Sequence, residues 1–221
     1  MMRLRYSLII TTFVFCTLCV FGLVHKTTYS DITSEPNYMD SLMVAEIPES
    51  FAVAECERLL ADLPNSQYIF RVKVVEGFEL YCGQGRQLMR VEDVFEGDGV
   101  TPGDCIYVTS DRWVIFWDNE VGTSMEHGFV NTMEVGGSYL IFCAESVDAL
   151  DKKIPVYRTS KSFTITPIFS YKDSENVIVP PGGESTYIPY FQVKNNEFFA
   201  CTDVALTAWE NLKSTLIEKY K

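Results

Sequence analysis

The most constraining feature of this sequence is a hydrophobic pattern with a period of two that begins near residue 68. Phe70, Val72 and Val74 alternate with basic residues, which predicts a strand with one buried face. Similar short runs follow as far as residue 145, separated by turns that contain glycine or proline. Short strands with such turns between them favour an all-β barrel or sandwich over βαβ units.

Two helical patterns flank this β-rich part of the chain. Apolar residues recur every three or four positions between Ser50, which can act as an N-cap, and Pro64, which stops the run. A second apolar stripe, which includes Trp209, crosses residues 202–219. We therefore predict one helix before the β-rich part and one at the C-terminus, each packing its stripe on the core.

The amino terminus has the pattern of a targeting segment. Arg3 and Arg5 precede an uncharged run of 17 residues, 8–24. At a rise of 1.5 Å per residue, this run lies at the lower limit for crossing about 30 Å of hydrocarbon. No A-x-A-like cleavage site follows it, so we favour an uncleaved membrane helix over a cleaved signal peptide. A lipid anchor on Cys16 or Cys19 is a third alternative.

These patterns divide the chain into three segments. We predict a signal-anchor or signal peptide over 1–24, a polar tether over 25–47, and an extracytoplasmic domain over 48–221 that contains a barrel core at 66–145 and a C-terminal helix at 202–219. The basic residues before the apolar run place the amino terminus in the cytoplasm and the domain at the cell surface.

The charge of the chain excludes some partners. With 18 basic and 30 acidic residues, the net charge is −12, which argues against binding to nucleic acid. The same surplus argues against docking on anionic lipid through a basic patch. The 47% of apolar residues is enough for a packed core, so the chain is not expected to be disordered.

The oxidation state expected for the seven cysteines depends on the compartment. Outside the cytoplasm thiols tend to oxidise, and Cys82 and Cys201, which lie beside turn-like or capping residues, are our candidates for a disulfide. Cys105 and Cys143 lie in strand-like sequence and are expected to be small buried side chains. No C-x-x-C motif occurs beyond the apolar run, which argues against thioredoxin-like and zinc-ribbon sites.

Catalytic motifs are missing from the sequence. It contains no G-x-S-x-G, H-E-x-x-H or phosphate-binding glycine loop. His127 is the one histidine of the predicted domain, and Asp118, Glu120 and Glu126 lie near it, which leaves a metal- or carboxylate-dependent hydrolase as an alternative. We interpret these residues as an ordinary acidic loop and predict no catalytic residue, no metal site and no cofactor.

An aromatic run forms the remaining candidate site. Alternation places Trp113 and Trp117 on one face of a strand and Phe116 on the other. One set is expected to face the core, while the other either packs under a helix or forms an exposed patch. In the second case Trp113, Phe116 and Trp117 would bind a protein or glycan partner.

Three stretches resemble a known family. They read M-R-V-E-D-V-F-E-G-D (89–98), P-G-D-C-I-Y-V (102–108) and V-G-G-S-Y-L-I-F (135–142). They are similar to the netrin-like modules, also called tissue inhibitor of metalloproteinases-like modules, which many bacterial exported proteins carry. The resemblance covers 66–145 and implies a five-stranded Greek-key barrel of the OB type with helices packed outside. Gly97 and Gly103 fit such a fold, because the hairpin turn between them requires positive φ or a bare backbone.

The family's inhibitory mechanism is not implied here. Metalloproteinase inhibitors of this kind bind the zinc of their target through a free amino-terminal cysteine, and no cysteine starts the predicted barrel near Tyr68. We therefore predict a membrane-anchored extracytoplasmic binding module without catalytic machinery. A cell-surface hydrolase and a structural envelope protein are the alternatives.

Overall fold

A computed structural model describes most of the chain. The described residues are 2–28, 37–81, 83–118, 122–148, 153–180 and 186–221; for 2–9, 25–28 and 117–118 the backbone alone is described. The chain forms two compact units, Met1–Tyr38 and Met39–Lys221.

The first unit contains the helix α1, Met2–Thr28. Side chains 10–24 are exposed around its whole circumference, and the Thr17 hydroxyl donates to the Phe13 carbonyl at 2.8 Å. Among the described residues, no helix combines the length and the apolar character needed to cross a bilayer. This finding corrects the predicted N-terminal membrane helix.

The second unit contains three α-helices and twelve strands among its described residues. The helices are α2 Glu49–Asp62, α3 Tyr190–Val193 and α4 Asp203–Lys219. The strands are β1 Met43–Ala45, β2 Tyr68–Val74, β3 Glu79–Tyr81, β4 Gln84–Glu96, β5 Cys105–Thr109, β6 Val114–Asp118, β7 Gly122–Glu126, β8 Ser138–Cys143, β9 Glu145–Val147, β10 Val156–Arg158, β11 Ile168–Ser170 and β12 Tyr187–Pro189.

The strands form two mixed sheets. The larger sheet has the order β11-β8-β2-β4-β5-β10-β9, and β3 pairs with the start of β4. Its pairs are antiparallel apart from β5 and β10, which run parallel. The smaller sheet has the order β12-β1-β7-β6, in which β1 and β7 run parallel. Two register shifts between β2 and β4 bend the larger sheet.

The predicted β-rich character is confirmed, but the predicted five-stranded Greek-key barrel is wrong. Eight strands share one sheet and four share another, and the path of the larger sheet is open, with β11 and β9 at its ends. The additional strands β1 and β9–β12 contain three residues each, which is too short for a period of two to be visible in the sequence. Strands β9 and β10 pair with each other, while β1, β11 and β12 pair with strands farther along the chain.

The larger sheet is covered on both faces. On one face, Leu140, Phe142 and Phe169 pack with Leu59 of α2 and Trp209 of α4. The opposite face forms a second core, to which β2, β4, β5 and β8 contribute the side chains Phe70, Val72, Met89, Ile106 and Ile141. Both predicted flanking helices are therefore present and pack on the same face of one sheet.

The starts of the two long helices differ in their capping. The Thr202 hydroxyl accepts a hydrogen bond from the Ala205 backbone N–H at 3.2 Å, which satisfies one of the free donors at the start of α4. Helix α2 begins after Pro48 and has no side-chain cap, so the predicted N-cap at Ser50 is wrong. Pro48 fits this place because its fixed φ suits the entry to a helix.

Candidate functional site

Two clefts lie on either side of the segment 170–174 that follows β11. The larger one, the polar cleft, has a volume of about 590 Å³ and is lined mainly by residues 130–134, 168–177 and 190–197. The smaller one, the helix cleft, has a volume of about 510 Å³ and lies between this segment and α4. Four buried polar or charged side chains line the polar cleft, namely Asn131, Ser170, Asn196 and Glu197.

Asn131 joins three segments at the floor of the polar cleft. Its side-chain amide donates to the carbonyls of Lys194 and Asn196, both at 2.8 Å. Its Oδ1 accepts from the Thr132 backbone N–H at 2.8 Å and from the Tyr190 hydroxyl at 3.0 Å. Because every polar atom of this buried side chain has a partner, Asn131 holds the floor in one arrangement.

Asn176 and Asn196 fix the irregular segment that forms one wall. Asn196 exchanges two hydrogen bonds with the backbone of Val177, at 3.0 and 2.6 Å, as a neighbouring strand would. The Oδ1 of Asn176 accepts from the backbone N–H groups of Glu197 and Phe198. Side-chain amides therefore replace the missing main-chain ladder of this wall.

A buried ion pair separates the polar cleft from the helix cleft. The Lys213 ammonium donates to Oε2 of Glu197 at 2.6 Å, and the exposed fractions of the two side chains are 12% and 7%. Glu197 also accepts from the Ser174 hydroxyl at 2.5 Å and from the Ser170 backbone N–H at 2.7 Å. Lys213 donates further to the Lys172 carbonyl at 2.7 Å. These partners satisfy both charges and tie α4 to β11.

The hydrogen bond from the Ser174 hydroxyl to the Glu197 carboxylate resembles the bond between a nucleophile and its general base. However, an ammonium group and a backbone N–H already hold this carboxylate. Such an arrangement is that of an anchor rather than of a base that must accept a proton during a reaction. We therefore assign Glu197 a structural role in the wall of the cleft.

The rim of the polar cleft is acidic. Four carboxylates and two lysines are among its lining residues. Glu134, Asp173 and Glu175 are exposed and form no ion pair with another described residue. Of the two lysines, Lys194 pairs with Asp40 at 3.4 Å, while Lys172 is exposed and leaves three carboxylates facing one unpaired cation. The cleft therefore presents unpaired negative charge above a floor of satisfied amide groups.

The predicted aromatic site lies elsewhere. Trp113 has an exposed fraction of 0% and packs edge-on against Phe78, with 5.6 Å between ring centroids, so it belongs to the core. Phe116 is half-buried on β6. The side chain of Trp117 lies outside the described residues. None of the three lines the polar cleft or the helix cleft.

The cysteines that we proposed for a disulfide are not seen as a pair. Cys82 lies outside the described residues, and Cys201 is half-buried and free. Cys143 is fully buried in the second core, where it packs as a small hydrophobic side chain. Burial raises the pKa of its thiol. Cys105 is half-buried and free.

His127 lies inside the second unit rather than in a cleft. Its exposed fraction is 2%, and its ring stacks on Tyr190 and meets the edge of Phe199. Burial lowers its pKa to about 3, so the ring is neutral. Its neighbour Glu126 binds Arg112 at 2.8 Å instead. Glu120 and the side chain of Asp118 lie outside the described residues, and in the part that is described no three His, Cys, Asp or Glu residues could hold a metal ion.

Sequence reasoning missed the residues that build the polar cleft. The run 194–197, K-N-N-E, has the composition of a turn and stands between strand-like residues, which is a weak signal for a polar site. Its partner Asn131 is 63 to 65 residues away, and no pattern in the sequence connects the two.

The comparisons with known proteins do not bear on the resemblance to a netrin-like module. The resemblance of residues 66–145 to netrin-like modules therefore stays a hypothesis that depends on the three motifs. No protein-family model and no curated protein matches this sequence.

Proposed function

We propose that this protein is a binding module that takes a short basic segment of a partner protein into the polar cleft. The observation that carries the proposal is the group of unpaired rim carboxylates, Glu134, Asp173 and Glu175, above a floor that is already fixed. A preformed floor lowers the cost of binding, because few side chains have to be ordered when the partner arrives. The acidic rim attracts a cationic partner and speeds its association.

A protein segment fits the cleft better than a glycan. Aromatic rings used for stacking on sugars must present a face to solvent, but Tyr139 and Tyr190 are each 8% exposed. Their hydroxyl groups are also engaged, with the Glu134 backbone N–H and with Asn131. The cleft thus offers carboxylates rather than an aromatic platform.

We also propose that residues 8–24 direct the protein to a membrane, with the second unit on the extracytoplasmic side. Support comes from the basic residues Arg3 and Arg5 before an uncharged apolar run. Fractionation of cells, followed by mass measurement of the mature chain, tests this proposal. Recovery of the intact chain in the cytosolic fraction would contradict it.

Binding of a labelled Lys-Ser repeat peptide to the full-length chain tests the cleft. We expect the double variant Asp173→Asn, Glu175→Gln to bind this peptide roughly three- to tenfold more weakly, because each surface charge contributes about 0.2–1 kcal/mol. The matched control is Glu57→Gln, Glu76→Gln, which removes the same charge from exposed sites outside the cleft. An equal loss in both variants would show that net charge alone attracts the peptide, and would exclude the cleft as its site.

A further inference from the structure

Strand β6 is an open edge of the smaller sheet. Among the described strands it pairs with β7 alone. Its sequence, V-I-F-W-D, contains no proline, glycine or lysine, and Val114, Ile115 and Phe116 are half-exposed. An apolar edge of this kind is a template for pairing with another strand.

The sheet edges at β12, β11 and β9 carry features that hinder pairing. Strand β12 ends in Pro189, which has no N–H to donate. On β11, the Glu197 carboxylate accepts from the backbone N–H of Ser170. Strand β9 begins with Glu145, an exposed acid that pairs with Arg158 at 3.4 Å. These are the devices by which natural sheets prevent pairing between edges.

The direction of the free backbone groups on β6 can be inferred from one hydrogen bond. The carbonyl of Trp113 accepts from the Gly85 backbone N–H of β4 at 2.7 Å, and so it points away from β7. Main-chain groups of alternate residues point to the same edge of a strand. Ile115 and Trp117 therefore present their N–H and C=O groups at the open edge.

We propose that β6 pairs antiparallel with β6 of a second copy of this chain, about a twofold axis at Phe116. In this register Ile115 of one copy lies opposite Trp117 of the other, on both sides of the axis. Each of these pairs exchanges two main-chain hydrogen bonds through the free groups. The two smaller sheets then become one continuous sheet, and the interface is the same patch on both copies.

The charges at the two ends of β6 favour a second copy over an unrelated strand. The Arg112 guanidinium binds Glu126 at 2.8 Å, and Glu126 is the strand partner of Val114. The proposed register brings position 118 of the other copy, an aspartate, opposite Val114. Arg112 of each copy, already paired with Glu126 of its own chain, then also has the acidic position 118 of its partner nearby, and the twofold axis repeats this match.

Cross-linking at the axis tests the proposal on the full-length chain in mild detergent. In this register Phe116 of one copy lies opposite Phe116 of the other as a pair that is not hydrogen-bonded. The two Cα atoms are then about 4.5 Å apart, a distance that a disulfide can bridge. We expect the Phe116→Cys variant to form a disulfide-linked dimer under mild oxidation, in at least tenfold excess over wild type. The control Val135→Cys places a thiol at a site that is 62% exposed in a distant loop. It should form no more dimer than wild type.

A second variant separates edge pairing from chance collision. Ile115→Pro removes an edge N–H that β7 does not use, so it should abolish the cross-link of Phe116→Cys and shift the sedimentation of the chain from dimer to monomer. Ile115→Val keeps the N–H and should leave the cross-link and the sedimentation unchanged. Circular dichroism verifies the fold of each variant. If wild type sediments as a monomer and Phe116→Cys cross-links no more than Val135→Cys, the proposal is overturned. The edge would then be left to a strand of a different protein.

Discussion

Glu46 and His127 are buried ionisable residues with opposite dependence on pH. They follow the ends of the neighbouring strands β1 and β7, and their exposed fractions are 1% and 2%. Burial raises the pKa of Glu46 to about 7, and the nearby Val179 backbone offsets this effect only in part. Burial lowers the pKa of His127 to about 3. Both groups are therefore most stable in the fold when they are neutral.

The Glu46→Gln variant should be more stable than wild type at alkaline pH. The pKa of Glu46 is higher in the folded chain than its ordinary value of 4.5, so its stabilising contribution is complete below pH 4.5 and is lost as pH rises through about 7. Relative to wild type, we expect the variant to gain about 3 kcal/mol in unfolding free energy between pH 4 and pH 8. Urea denaturation at both pH values measures this gain, with exposed Glu57→Gln as the control. A difference between variant and wild type that does not change with pH would contradict the assignment.

The Glu197–Lys213 ion pair adds a polar connection between helix α4 and β11 to the packing of Phe169 on Trp209. The stripe that includes Trp209 buries its apolar face, while Lys213 reaches from the flank of the helix to Glu197 and the Lys172 carbonyl. This ion pair joins Glu197, which lines the polar cleft, to Lys213, which lines the helix cleft. The ion pair therefore links the packing of one helix to the shape of the proposed binding site.

Removal of one partner of this pair should cost more than removal of both. Lys213→Met leaves the Glu197 carboxylate buried without its cation, and we expect a loss of about 3–5 kcal/mol in unfolding free energy. The double variant Glu197→Gln, Lys213→Met should recover part of this loss. Urea denaturation of Lys213→Met, Glu197→Gln and the double variant measures the coupling. The control Lys161→Met, which breaks an exposed pair with Asp111, should cost less than about 1 kcal/mol. A loss for Lys213→Met as small as that of Lys161→Met would contradict the role of the pair.

The two larger hydrophobic cores of the second unit lie on the two faces of the larger sheet, and a third, smaller core lies beside β1 and β12. Trp209 lies in the core under the helices, and Trp113 lies in the core on the opposite face. Strand β2 contributes Ile69 to the first core and Phe70 to the second. Because adjacent residues of the same strands serve both cores, neither core can be lost without the other.

Unfolding of the second unit should therefore be a single cooperative step. We expect Trp113→Ala and Trp209→Ala each to lower the unfolding free energy by about 3–5 kcal/mol, since each removes a fully buried side chain. Each variant should also keep one transition that near-UV and far-UV circular dichroism report at the same urea concentration. Two separate transitions in either variant would mean that the cores fold independently.

Local features of this fold could be predicted from the sequence because they depend on residues that are neighbours in the chain. Helices α2 and α4 follow from their spacing of apolar residues, and the alternation of Phe70 and Val72 correctly places both in one core. Gly97 and Gly103 both have positive φ, at 107° and 101°, as the predicted turn requires. The alternation could not tell which face of β6 would be covered, so Trp113 was proposed for a partner although it is buried.

The chain's local chemistry thus specified strands, turns and helices, since hydrophobic period, capping and glycine conformation act over a few residues. Tertiary structure alone decided how the strands divide between two open sheets, because short strands such as β1 and β12 pair with partners far along the chain. It alone also created the polar cleft. Asn131 and Glu197 are unremarkable in the sequence, and they gain a role only where folding removes water and gives each polar atom a distant partner.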